Sequence, residues 1–262
     1  MPTTSVQFVS GPVEAVLRVE PVTLDSQRAE LVVGSGPWLV DQVVGVSRAA
    51  LGVALDDVTG FVVAAGSRPG KWPVSLGIRL DFLGDPPTDG TAMTAVGELV
   101  ARDDTGATTR GFAADADGRV VALVTQRSHL VDIDDTPESH CAGFEVPPGD
   151  APLSELLGLA PAGPGVVEMP PTRLAANGMG NVHGGVLIYA SEYAAVSAIG
   201  PAPDLRITSV DIVYLRPGNA AQATRFHTEV VHRGRSLSVV RVTTIGAAGK
   251  ACSVATVIVQ RR

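Results

Sequence analysis

Between Val186 and Ile199 the chain reads Val-Leu-Ile-Tyr-Ala-Ser-Glu-Tyr-Ala-Ala-Val-Ser-Ala-Ile, and Glu192 is the only charged side chain in it. As a helix this segment is apolar on nearly every face, so the rest of its domain must wrap it on all sides. Glu192 then becomes a half-buried acid, which is costly unless it is paired or put to use. The entry to the helix is Asn177-Gly-Met-Gly-Asn-Val-His183-Gly184-Gly185. The two glycines allow a backbone or a ligand to come close. The free N–H groups of the first turn point at whatever lies there. Polarising amides at one end and a carboxylate further on are the parts that acyl transfer needs.

The second half of the chain repeats the first. Val74–Leu83 matches Arg206–Leu215 in pattern, with Phe82 on Tyr214 at an offset of 132. Glu98–Arg102 falls on Glu229–Arg233, and Gly118-Arg119 on Gly249-Lys250, at an offset of 131. Self-similarity at half the chain length indicates a tandem duplication. The expected divisions are residues 1–131, an acidic linker rich in Pro and Gly over 132–152, and residues 153–262. In the first half, Gly11–Thr23 and Arg28–Val33 read as strands and Asp41 caps a helix over Gln42–Leu55. Phe61–Ala65, Val74–Leu83, Thr91–Arg102, Thr108–Ala114 and Arg119–Leu130 follow as strands. The first helix aligns with the second when Ala49-Ala50 falls on Tyr193-Ala194. Arg48 then replaces Glu192, Gly77 replaces Ser209, and Leu39-Val40-Asp41 stands where His183-Gly184-Gly185 does.

Of the 262 residues 45% are hydrophobic, which indicates a folded core, and the net charge of −7 without a basic stripe argues against nucleic acid. Cys141 and Cys252 have no metal-ligand spacing, which suits free thiols in a reducing cytoplasm. The start of the chain lacks the features of a signal peptide, and no run spans a membrane.

The pattern Asn177-x5-His183-Gly184-Gly185-x6-Glu192 resembles the signature of hotdog-fold acyl-CoA thioesterases of the phenylacetate-pathway and 4-hydroxybenzoyl-CoA type. Thr208–Pro217 is similar to the family's next strand, which ends in Tyr-Leu-x-Pro. The resemblance covers about residues 165–262. It implies an α+β double hotdog, each copy a long helix wrapped by a curved antiparallel sheet, with the first copy degenerate. It further implies an acyl-CoA substrate, no cofactor or metal, and a homodimer. On this reading Glu192 is base or nucleophile, supported by Ser209. Gly184, followed by Gly185, polarises the carbonyl, Asn177 orients water or substrate, and His183 stands at the helix start.

Helix geometry adds a constraint. Gly184 and Glu192 are eight residues apart, about 12 Å along one axis, so they cannot act on the same carbonyl. Each must work with the other half of the chain. The expected partners are amides near Val40 for Glu192, and Arg48, as a holder of phosphate or carboxylate, for Gly184. A catalytically silent acyl-CoA-binding or assembly protein is the alternative, because the first half departs from the motif.

Overall fold

The computed structural model describes residues 7–137, 139, 144–146 and 150–261, so Cys141 lies outside the described residues. The first half runs α1 (Pro12–Val16), β1 (Glu20–Leu24), β2 (Arg28–Val33), the two-residue strands β3 (Val40–Asp41) and β4 (Gly45–Val46), and α2 (Gly52–Ala65), which a 3-10 turn over Ala49–Leu51 precedes. It continues with β5 (Lys71–Phe82), β6 (Met93–Arg102), β7 (Gly106–Ala114) and β8 (Val120–Asp132). The second half runs α3 (Leu153–Leu156), β9 (Ala160–Pro161), β10 (Val166–Met169), α4 (Gly184–Ile199), β11 (Leu205–Tyr214), β12 (Thr224–Arg233), β13 (Leu237–Ile245) and β14 (Ala251–Arg261).

Twelve strands form one sheet in the order β1-β2-β6-β7-β8-β5-β11-β14-β13-β12-β10-β9. The order reads the same outward from the β5–β11 seam in both directions. There the strands pair antiparallel from Ser209↔Asp81 to Val213↔Gly77. The first three long strands of each half end 131 or 132 residues apart, and the fourth pair, β8 and β14, begins 131 apart, the offset the sequence shows. The sheet curves around α2 and α4, which are buried over most of their length. No described helix is long and apolar enough to cross a membrane.

Four sequence expectations in the first half are overturned. Pro12–Val16 is helical rather than a strand, with Pro12 at its first turn, where a missing N–H costs nothing. Phe61–Ala65 is the end of α2 rather than a strand, and the helix lies at 52–65 instead of 42–55. The segment Gly-Val-Ala-Leu-Asp-Asp-Val-Thr-Gly-Phe-Val-Val-Ala-Ala has weak helix propensity, with two glycines and several β-branched residues. Burial inside the curved sheet overrides that preference. Asp41 does not cap the helix; its Oδ1 accepts from Val43 N and Val44 N in the β3–β4 turn.

Two glycines set how closely α2 and α4 approach. A Cβ on Gly185 would lie 2.4 Å from Val53 Cα, and one on Gly52 would lie 2.9 Å from Ile188 Cγ2. The helices run antiparallel with their first turns in contact, so each start faces the other helix's second turn. Gly185→Ala should therefore lower the unfolding free energy by about 1–3 kcal/mol through overpacking. Urea denaturation measures this, and an unchanged midpoint would mean that the helices separate freely.

Candidate active site

The crossing of α2 and α4 creates two pseudo-equivalent sites. In one, the carboxylate of Glu192 accepts from Ser47 Oγ and from the amides of Arg48 and Ala49, each amide at 3.3 Å. In the other, Asp56 of α2 faces the start of α4. A Cβ on Gly184 would come 2.4 Å from Asp56 Oδ2 and 3.0 Å from the Tyr214 hydroxyl. Asp56 and Glu192 are 136 positions apart, as are Ala49 and Gly185, or Ser47 and His183. The counterpart of Glu192 is thus Asp56, not Arg48, and the counterpart of His183 is Ser47, not Leu39. The helix offset differs from that of the strands, so extending the strand match backwards does not find it.

The Glu192 site is sealed. Glu192 is 2% exposed, and burial raises its pKa to about 7 against the pull of Ser47 and the Ala49 and Arg48 amides. Ser209 is buried beside a bulge in β11 and supplies none of these hydrogen bonds. Val40 lies in β3 with its amide donating to Pro37 O, so it does not polarise anything at Glu192. Arg48 contributes its backbone there. Its guanidinium turns away to Asp85 Oδ1 at 2.7 Å and Ile207 O at 2.9 Å, which removes it as a ligand for a substrate anion at Gly184.

The Asp56 site opens onto a cavity of ≈ 450 Å³ that Asn177, His183 and Gly184 also line. Ser75 Oγ donates to Asp56 Oδ1 at 2.9 Å. Gln126 Nε2 donates to Ser75 Oγ at 2.6 Å and to Asp56 Oδ1 at 3.3 Å. Thr59 Oγ1 in turn meets Gln126 Oε1. One carboxylate oxygen is therefore held from the strands while Oδ2 faces α4. Burial raises the Asp56 pKa, and the His183 charge and the Ser75, Gly185 and Gln126 hydrogen bonds oppose the shift. At the offsets of the strands and helices, Ser75, Gln126 and Thr59 correspond to Ile207, Val257 and Ala195. The polar bracket exists in the first half alone. Sequence reasoning missed Asp56, Ser75 and Gln126, although polar residues at inward strand positions were a visible signal.

His183 caps α4. Gly185 N donates to its Nδ1 at 2.9 Å, and this geometry is that of a ring protonated on Nε2, which faces Asp57 Oδ1 at 3.1 Å and Glu14 Oε1 at 3.6 Å. Burial works against a charged ring, whereas Asp57, Glu14 and Asp56 favour one and push the His183 pKa up to about 10. The Gly185 N–H on Nδ1 opposes that charge, and the contact fixes the neutral, Nε2-protonated ring as the form this geometry fits. A second proton, on Nδ1, would break the Gly185 contact and turn towards Asp56 Oδ2, 3.7 Å away. Burial likewise raises Asp57 to about 7. Ligand atoms of Glu14, Asp57 and His183 lie within 4.8 Å of one another. The Gly185 contact, however, puts the proton on the nitrogen that a metal would need. Asn177 lines the cavity, but its Oδ1 is occupied by Met179 N and Asn181 N in a turn.

Residues 172–260 match the family model described as the acyl-CoA thioesterase N-terminal domain. The second half carries a thioesterase domain. The matched domain is N-terminal in the proteins it describes, yet here it is the later half, the one with His183-Gly184-Gly185. Among solved structures, the tesB protein of Mycobacterium avium subs. paratuberculosis superposes with a TM-score of 0.61 at 13% identity, over 95% of this chain and 98% of that one. Acyl-CoA thioesterase II of Mycobacterium marinum gives 0.58 at 12%, over 95% and 96%. An acyl-ACP thioesterase of Bacteroides thetaiotaomicron gives 0.60 at 14%, over 89% and 98%. These likenesses establish a shared hotdog-like fold over nearly the whole chain. No curated protein matches it by sequence.

The sealed acid in this chain leaves a pH signature. Glu192 holds its proton up to about pH 7 when folded, against an ordinary value of 4.5. Its contribution to stability is complete below pH 4.5 and is lost as pH rises through 7, at up to about 1.4 kcal/mol per unit. Denaturant titrations across this window should fall less steeply for Glu192→Gln than for the unaltered chain. Equal slopes would mean that Glu192 is ionised throughout.

Proposed function

We propose that the chain is an acyl-CoA thioesterase whose general base is Asp56, not Glu192. The observation that carries this reading is the Asp56 carboxylate itself. It is bracketed through one oxygen by Ser75 and Gln126, and its other oxygen faces the Gly184 end of α4 at a cavity. Acid and helix start come from different halves, as the 12 Å separation on one helix requires.

In this mechanism the thioester carbonyl sits at the start of α4 with its oxygen towards the Gly184 N–H, which stabilises the developing oxyanion. His183 takes up the Gly185 N–H and fixes the orientation of that first turn. Water beside Asp56 Oδ2 gives it a proton and attacks the carbonyl carbon. The tetrahedral intermediate collapses, the C–S bond breaks, and Asp56 returns the proton to the departing thiolate. The products are a carboxylic acid and the free thiol. Burial makes Asp56 a stronger base than an exposed aspartate. The sealed Glu192, by contrast, is a buried acid satisfied by the opposite helix.

Free-thiol release from acetyl-, butyryl-, octanoyl- and benzoyl-CoA tests the assignment. Asp56→Asn should lose on the order of 10²–10⁴ in kcat, while Glu192→Gln keeps its turnover. The reverse pattern would return the base to Glu192. Saturable binding without thiol release from any ester would favour the silent acyl-CoA-binding protein. Activity should also fall at acid pH as Asp56 protonates, at a pH above the ordinary aspartate value of 3.8.

A further inference from the structure

Gly60 occupies the interior of α2, where a glycine destabilises a helix relative to alanine. Gly60 is partly buried, and the fully buried glycines near it have a packing reason. A Cβ on Gly97 would meet Val58 O at 2.5 Å, and those on Gly52 and Gly185 would meet the facing helix. Gly60 has none: its Cβ would find nothing within 4 Å. That open space belongs to the cavity, which Gly60 lines.

The residues that line the cavity beyond Asp56 fall into two unlike groups, which mark two directions, or arms, that a ligand can take. On one side Asn177, Asn181 and the exposed Arg216 line the cavity, with polar groups at the surface. On the other it follows one face of α2 through Gly60 and Ala64, about 6 and 12 Å past Asp56 along the axis. Large apolar side chains line that stretch, Phe61 of the same helix, Trp72 of β5 and Val131 of β8, with Ser128 the small polar residue among them. Phe61 stands edge-on to Trp72 with centroids 6.3 Å apart and packs against Phe8 at 4.8 Å. An amide- and phosphate-bearing thiol carrier suits the polar arm, and an apolar chain suits the other.

We propose that Gly60 is a specificity-determining residue: by leaving out a side chain it keeps open the α2 arm that receives an apolar acyl chain of medium length. This rests on the thioesterase reading and names its substrate class. The carbonyl stays at Asp56, so an acetyl group ends before Gly60, whereas an octanoyl chain must pass it. A leucine at position 60 would point into the arm and fill it.

The test measures kcat/KM for acetyl-, butyryl- and octanoyl-CoA in the unaltered chain, Gly60→Ala and Gly60→Leu, with thermal unfolding of each. Gly60→Ala should raise the unfolding midpoint by roughly 2–4 °C, because no neighbour resists the methyl group. Gly60→Leu should lower the octanoyl-to-acetyl ratio roughly 10–200-fold, the range for losing apolar room in a pocket. An unchanged ratio in a folded Gly60→Leu protein overturns the proposal. An equal loss on all three esters also overturns it, since the carrier would then lie in this arm. If the unaltered chain releases no thiol from any ester, the thioesterase reading itself fails, a result separate from either of these.

Discussion

The structure depends on the contact between the first turns of two antiparallel buried helices. Each turn has N–H groups without intrahelical partners, and further along each helix a carboxylate, Asp56 of α2 or Glu192 of α4, faces the other's start. A buried carboxylate needs donors and a buried helix start needs acceptors, so the crossing satisfies both at once. Gly52 and Gly185 make it possible by removing the side chains that would hold the backbones apart. The curved sheet then closes over both helices, and its β5–β11 seam fixes their relation.

The same crossing gives two outcomes because its surroundings differ. At Glu192 the opposite helix begins with Ser47, whose hydroxyl and neighbouring amides use the carboxylate fully, and the strand positions behind are Ile207 and Val257. At Asp56 the opposite helix begins with His183, which turns its Nδ1 to its own Gly185 and leaves the carboxylate's outer oxygen facing the cavity. Ser75 and Gln126 hold the other oxygen. One acid supports the fold, and the other has the partners of a base. Duplicated architecture thus leaves each half free to specialise, and in the proposed mechanism one supplies the acid and the other the polarising helix start.

Much of the architecture could be read from the chain. The strand offsets of 131 and 132, the all-apolar helix ending at Ile199 and the glycine pair before it all recur in the structure at the expected positions. The rule that acid and helix start must come from different halves follows from helix rise alone, and the Asp56–Gly184 pair obeys it. The counterpart of Glu192 is not found from the sequence because the helix repeat is out of step with the strand repeat. The first half starts its helix with a 3-10 turn and has different loops before it, so aligning Ala49-Ala50 with Tyr193-Ala194 displaced the comparison by two turns. Asp56 was then overlooked inside a segment that propensity divided into helix and strand.

The sequence by itself determined the periodicities, the duplication and part of the chemistry: the buried helix ending at Ile199, its single acid Glu192 and its His-Gly-Gly start. These are properties of local order along the chain. Which acid meets which helix start depends on contacts between residues more than a hundred positions apart, set by the crossing of α2 and α4 and by the register of β5 with β11. Whether a carboxylate is sealed or open depends on the depth of burial around it, to which side chains from both halves contribute. Only the tertiary structure decides those, because solvation and hydrogen-bond pairing are properties of the packed space and not of the sequence neighbourhood.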